Sequence, residues 1–231
     1  IFSLSATFAD GERLDGLASV LVTRVRNFGG VVQLAAGRFH SCAALNDGTA
    51  RCWSPAGESL FVLRSKDRSS GFMDAVFLEG GRVATGTLTG TGEIWTDEGL
   101  LLKTFKEKGK HDLFVKGVDP SGRNFITASN APSHELEVWN SDGERQAILS
   151  RDTAHYWCAT FSPDGELVAA GCADGAVRVW RWRTQELMLE LRGHSSTVHR
   201  LKFSPGTAAN LLSASHDGSV RIWTLNAPLL P

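Results

Sequence analysis

Seven histidines and four cysteines carry most of the reactive chemistry in this chain of 231 residues. The histidines are His40, His111, His134, His155, His194, His199 and His216, and the cysteines are Cys42, Cys52, Cys158 and Cys172. A metal centre would need such residues at close, regular spacing, as in His-x₃-His on a helix or Cys-x₂-Cys. Neither pattern occurs, so no metal or cofactor is expected. A phosphate loop would need a Gly-rich turn that opens a helix and ends in Lys-Ser or Lys-Thr. Gly86, Gly90 and Gly92 are rich in glycine but read as strand, turn and strand. No catalytic residue emerges, and the chain is expected not to be an enzyme.

Two cysteines invite a bond. If Asn46, Asp47 and Gly48 form a hairpin loop, Leu45 faces Thr49 and Cys42 faces Cys52. Directly opposed residues come within about 4.5–5.5 Å between Cα atoms, which suits a disulfide. The alternative is a pair of reduced, buried thiols. No charged head followed by an apolar stretch marks an export signal, so the reduced pair is expected. Cys158 and Cys172 read as small core residues. Lys103, Lys106, Lys108 and Lys110 cluster around Glu107, as a basic lip for an acidic partner or as a solvated loop, and the loop is the expectation. Arg178, Arg181 and Arg183 interleave with Trp180 and Trp182. Trp180 is expected in the core, with the arginine stems covering a sheet edge.

These residues need a frame, and the tryptophans measure it. Trp53, Trp95, Trp139, Trp180 and Trp223 lie 42, 44, 41 and 43 residues apart, while Trp157 and Trp182 fall outside the series. An Asp-Gly turn precedes three of them, at Asp47-Gly48, Asp174-Gly175 and Asp217-Gly218, with the Asp six residues before the Trp. Further upstream lie turn sequences such as Phe161-Ser162-Pro163-Asp164-Gly165 and Phe203-Ser204-Pro205-Gly206. Short alternating runs fill the gaps, and no segment sustains a helical period. Each unit therefore reads as four strands. Isolated four-stranded sheets cannot hide both faces, whereas radial stacking hides them, so the spacing predicts an all-β chain of four-stranded antiparallel blades forming a β-propeller.

The last unit resembles the WD-repeat family. Gly193-His194, Phe203-Ser204-Pro205, Ser215, Asp217-Gly218 and Ile222-Trp223 carry the likeness, which extends over about residues 72–226. The resemblance implies a propeller that serves as a protein-interaction scaffold. It also implies a structural tetrad, His194, Ser215, Asp217 and Trp223, linked by buried hydrogen bonds. Partial versions remain as Asp174 with Trp180 and as Asp47 with Trp53, with Asp152 and Cys172 standing where the His and Ser would be. Earlier, Gly37-Arg38-Phe39-His40-Ser41 followed by Asp47-Gly48 and Cys52-Trp53 is similar to one repeat of the regulator-of-chromosome-condensation family, at about residues 29–55. That likeness implies the alternative of a regulatory propeller, linked to guanine-nucleotide exchange or to chromatin. Residues 1–71 are thus expected to form degenerate early blades and residues 72–231 four WD-repeat units.

In WD-repeat proteins, the rim where first strands start and the Asp-Gly turns close is a common contact surface. The matching positions here are Lys110, His111, His155, Tyr156, Ala173, Thr197, His199 and His216, the candidate rim for binding other proteins or peptides. The formal net charge of −1 gives no bulk argument for nucleic acid or membrane, and no small-molecule substrate is expected. No apolar run approaches the roughly 18 residues that span a bilayer. The expected setting is intracellular, cytoplasmic or nuclear. The length suggests five or six blades with degenerate early units, or a piece of a larger ring. Ring closure would need a strand near residues 17–25 to complete the last blade.

Overall fold

A computed structural model describes residues 31–36, 41–45, 48–54, 58–66, 71–106, 112–129, 134–150, 154–206 and 208–225. The strand expected near residues 17–25, the Lys108 and Lys110 ends of the lysine cluster, and the residues Asp47 and Asp152 lie outside them.

The described residues form five antiparallel sheets, each a simple meander of consecutive strands. The first holds β1 (Val31–Ala36), β2 (Ser41–Leu45), β3 (Thr49–Trp53) and β4 (Ser59–Arg64). The second holds β5 (Phe72–Phe77), β6 (Val83–Thr87), β7 (Gly92–Trp95) and β8 (Leu101–Lys106). The third holds β9 (Leu113–Val118), β10 (Asn124–Ser129), β11 (Leu136–Asn140) and β12 (Arg145–Ser150). The fourth holds β13 (Tyr156–Phe161), β14 (Leu167–Cys172), β15 (Val177–Arg181) and β16 (Glu186–Leu191). The fifth has three strands, β17 (Val198–Phe203), β18 (Asn210–Ser215) and β19 (Val220–Thr224).

The sheets stack face to face, and an apolar core fills each interval. Cys52, Leu63, Phe72 and Trp95 fill the first interval, Ile94, Phe105, Phe125 and Trp139 the second. Val138, Phe161, Trp180 and Trp182 fill the third, Val179, Val198, Phe203 and Leu211 the fourth. Strand β14 shows why its sequence is apolar throughout. Val168, Ala170 and Cys172 face the third interval while Leu167 and Ala169 face the fourth, so both faces of the strand are buried. Small residues let the layers approach. A Cβ on Gly86 would lie 2.2 Å from the backbone oxygen of Leu113 in the next sheet, so only glycine fits there.

The hairpin register places Cys42 opposite Cys52, and the two are joined by a disulfide across β2 and β3. The reduced pair expected above is not what the fold holds; direct opposition in the ladder brings the sulfurs together. The fifth sheet has no fourth strand among the described residues, so β19 is an open edge. On its face away from the fourth sheet, Ile222 is 73% exposed, with Val220 and Leu212 also exposed. No helix among the described residues is long and apolar enough to cross a membrane.

Candidate functional site

The Asp217-Gly218 turn draws the polar centre of the fifth sheet together. Gly218 takes a left-handed φ of +81°, and Asp217 Oδ1 accepts the Ser219 N–H at 2.8 Å, which closes the turn locally. The other carboxylate oxygen lies 2.9 Å from His194 Nδ1. His194 Nε2 lies 2.7 Å from Ser213 Oγ, and Trp223 Nε1 donates to that same oxygen at 2.8 Å. The Asp217 carboxylate can only accept, so Nδ1 carries the hydrogen and Nε2 accepts the Ser213 hydroxyl, whose oxygen in turn accepts from the indole.

Ser213 thus links the histidine to the tryptophan, and Ser215, expected in that place, does not. Trp223 stands opposite Leu211, so its indole reaches diagonally to Ser213 on the same face and falls short of Ser215. Ser215 instead donates to the Ser196 carbonyl at 2.8 Å and accepts the Asp217 N–H at 3.1 Å. The same hydroxyl position recurs in earlier sheets. Trp95 donates to Thr85 and Trp139 to Thr127, each at 2.9 Å. The signal was present in the sequence as a hydroxyl ten residues before Trp95 and Trp223, and twelve before Trp139, whose hairpin loop is longer. In the fourth sheet that place is Ala170, which carries no hydroxyl.

An Asp–His–Ser chain has the connectivity of a hydrolase triad, but its setting differs. Ser213 is 0% exposed, and its oxygen already accepts the indole N–H, so no substrate carbonyl reaches it. Asp217 is held well below the usual carboxylate range, chiefly by the Ser219 hydroxyl, with the Ser219 N–H, His194 and the Ser195 N–H adding to it. Burial pushes the Cys158 thiol up to about 11, which keeps it protonated and unreactive. No cluster of three or more metal-binding side chains occurs among the described residues.

The charged candidates are absorbed into the fold. Lys106 Nζ pairs with the buried Glu137 at 2.6 Å, and the exposed Lys103 donates through Nζ to the Asp142 carbonyl at 2.9 Å, so both reach the next sheet from strand β8 and neither belongs to a loop. Arg178 lies inside, held by Asp174 at 2.9 Å and Glu190 at 3.0 Å, with Cys172 Sγ at 2.9 Å. Trp180 and Trp182 are buried, and the Arg183 guanidinium covers the Trp182 ring at 4.5 Å.

The rim is where separate loops converge. His155 accepts the Ala173 N–H, and Thr197 accepts the His216 N–H, each at 2.9 Å, which pins the starts of β13 and β17 to the following turns. Thr197 also donates to the Ala173 carbonyl and ties the two turns together. Tyr156, expected among these contacts, is 3% exposed and packs edge-on against Trp180 in the third interval. The register slips by one residue between Tyr156 and Cys158, and again between Val198 and Arg200. These bulges turn Trp157 and His199 out of the ladder. Trp157 is 48% exposed, and together with His134 it is what the sequence reading missed, since a bulge leaves no mark in residue type. Lys110 and His111 lie outside the described residues.

The rings run in one line across three sheets. His134 meets His155 at 4.3 Å between centroids, His155 meets Trp157 at 6.5 Å, Trp157 meets His199 at 5.4 Å and His199 meets His216 at 3.5 Å. Burial lowers the pKa of His155, with His134 adding to the shift and Asp112 opposing it. Burial likewise lowers that of His199, with His216 and Arg200 adding to it. Each stays neutral in the fold at a pH where an unfolded imidazole, near about 6.5, takes a proton. The unfolded chain then binds more protons, so these two residues are expected to make stability fall as pH drops below about 6.5. Urea unfolding at several pH values between about 7.5 and 5.5 measures the slope. The His155→Gln/His199→Gln variant should flatten it, and an unchanged slope would reject the assignment.

A row of stacked antiparallel meanders, four of them with a tryptophan bonded across the middle strands or packed between sheets, defines a repeat protein. Residues 143–181 and 185–224 match the family described as WD domain, G-beta repeat, and residues 31–54 match the regulator of chromosome condensation (RCC1) repeat. The chain therefore carries WD40 repeats over 143–224 and an RCC1-type segment near its start. Periodic tryptophan protein 2 of Arabidopsis thaliana is 34% identical over 103 residues, covering 43% of this chain and 11% of that protein. Pre-rRNA-processing protein IPI3 of Mycosarcoma maydis is 31% identical over 110 residues, covering 48% of this chain and 18% of that protein. The chain spans 9% to 19% of the length of the curated relatives it matches. The crystal structure of the computationally designed Ika8 protein superimposes with a TM-score of 0.70 at 25% identity, covering 84% of this chain and 58% of that one.

Proposed function

We propose that this chain is a non-catalytic, WD-repeat platform that binds other proteins or peptides on the rim formed by His155, Trp157, Ala173, Thr197, His199 and His216. One observation carries the reading: sheet ends fixed by hydrogen bonds between neighbouring turns present a half-exposed tryptophan to solvent. Aromatic side chains held on rigid elements are the usual energetic centres of protein interfaces. The buried Ser213 and the protonated Cys158 support the absence of catalysis.

The five sheets are, in this reading, consecutive blades of a β-propeller, either a small ring with degenerate early blades or part of a larger one. Residues 1–71 supply the early blades and residues 72–231 the WD-repeat units. The open edge of β19 and its exposed Ile222 and Val220 support a further strand or sheet seated there, because an apolar sheet face left in water favours association. The RCC1-type segment spans little more than β1–β3, so it serves as one blade of the row and not as a separate regulator. An intracellular setting, cytoplasmic or nuclear, accords with a relative named for pre-rRNA processing.

Proximity labelling with the chain fused to a biotin ligase tests the platform. Reproducible enrichment of particular proteins over the free ligase is expected. Enrichment no greater than that of the free ligase would reject the platform.

A further inference from the structure

The line of rings on the rim has a charge pattern that selects a partner. The carboxylates nearest to it on the two turns are already committed. Asp174 is paired with Arg178, while Asp217 is taken up by His194, Ser219 and the Ser195 N–H. The cation beside the line is not. Arg200 is exposed, donates only to the His199 carbonyl, and has no carboxylate partner among the described residues. Lys202, farther along the same strand, is also exposed.

The imidazoles have unused capacity as well. His134 Nδ1 and His199 Nε2 are shielded from water and have no hydrogen-bond partner. They belong to the two histidine pairs that flank Trp157 on either side. Around the line stand Asp112 near His155, and Arg200 near His199, besides the four histidines themselves. A proton added to His155 or His199 therefore adds positive potential, which Asp112 offsets at His155.

We propose that Trp157 with the flanking pairs His134–His155 and His199–His216 forms a docking site for an acidic peptide segment, which binds more tightly as the pH falls. The proposal rests on the platform reading above and names the chemistry of its partner. Trp157 takes an apolar side chain of the segment. The segment's carboxylates lie against the solvent side of the rings and Arg200, where their charge favours protonation of His155 and His199. A nucleic acid fits less well, because Arg200 is the one permanent cation directly beside the rings among the described residues, and phosphate backbones need several.

Fluorescence anisotropy on the full chain tests this with a fluorescein-labelled peptide of sequence Glu-Glu-Phe-Leu-Glu-Glu. Affinity is expected to rise about tenfold between about pH 7.5 and 5.5. Trp157→Ser removes an exposed side chain and leaves the core intact; it is expected to weaken binding at least about fivefold at both pH values. The His155→Gln/His199→Gln variant is expected to lose the pH dependence. Three outcomes overturn the proposal: a flat pH profile for the parent chain, unchanged affinity in Trp157→Ser, or equal or tighter binding of Lys-Lys-Phe-Leu-Lys-Lys or of a labelled oligouridylate. If partners are still captured by proximity labelling in any of these cases, the platform stands and only the acidic-peptide site falls.

Discussion

Phe125→Ala is expected to cost about 3–5 kcal/mol of stability, the range for emptying a buried aromatic site. Phe125 is 0% exposed near the start of β10. Its ring lies edge-on to Phe105 at 5.2 Å, and Phe105 in turn tilts against Trp139 at 5.0 Å. These three rings come from neighbouring sheets and fill the second interval together with Ile94 and Leu113. Ladder hydrogen bonds keep each sheet stiff, so the two faces relax only partly around the void. Against a typical total of about 5–15 kcal/mol, the loss removes much of the margin. Urea unfolding followed by circular dichroism measures it. Leu102→Ala, on the exposed side of β8, serves as the comparison and should change stability by less than about 0.5 kcal/mol. A loss below about 1 kcal/mol for Phe125→Ala would show that the second and third sheets do not share a core.

Ser213→Ala is expected to cost about 2–3 kcal/mol, because two polar groups lose their shared partner and one of them, His194, is buried. Trp223 Nε1 loses its acceptor and His194 Nε2 loses its donor. Ser215→Ala is expected to cost about 0.5–1.5 kcal/mol, since its hydroxyl makes ordinary, partly solvated bonds to backbone groups. Ser213→Thr should retain most of the stability, because Thr85 and Thr127 fill the same place in earlier sheets. Denaturation midpoints of the three variants, measured together, decide between the two serines. A larger loss for Ser215→Ala than for Ser213→Ala would return the linking role to Ser215.

Much of the frame was legible because it depends on local chemistry. Asp-Gly turns, which close through the Asp side chain and a left-handed Gly, mark their hairpins wherever they occur, and the runs between them alternate with the period of a strand. The hairpins expected at the three Asp-Gly turns are accordingly present, between β2 and β3, β14 and β15, and β18 and β19. The site was legible only in part. The resemblance points to Ser215, and Ser213 lies on the same face of the same strand. Only the register with β19 tells which of them the indole of Trp223 meets. Tyr156 and Trp157 exchanged places for a related reason: a single extra residue in the ladder reverses which neighbour faces the core. Lys106 reads as a loop charge until a second sheet brings Glu137 to it.

By itself, the sequence determined the repeat length, the hairpin turns, the all-β class and the opposition of Cys42 to Cys52, though not the bond between them. All of these follow from the order of residues along one meander. The tertiary structure alone decided which serine joins His194 to Trp223, that Arg178 lies inside an ion-paired network, and that four histidines and Trp157 meet in one line. Those contacts join residues of different strands and different sheets. Their geometry depends on register, bulges and the stacking of layers, and no spacing within a single repeat encodes it.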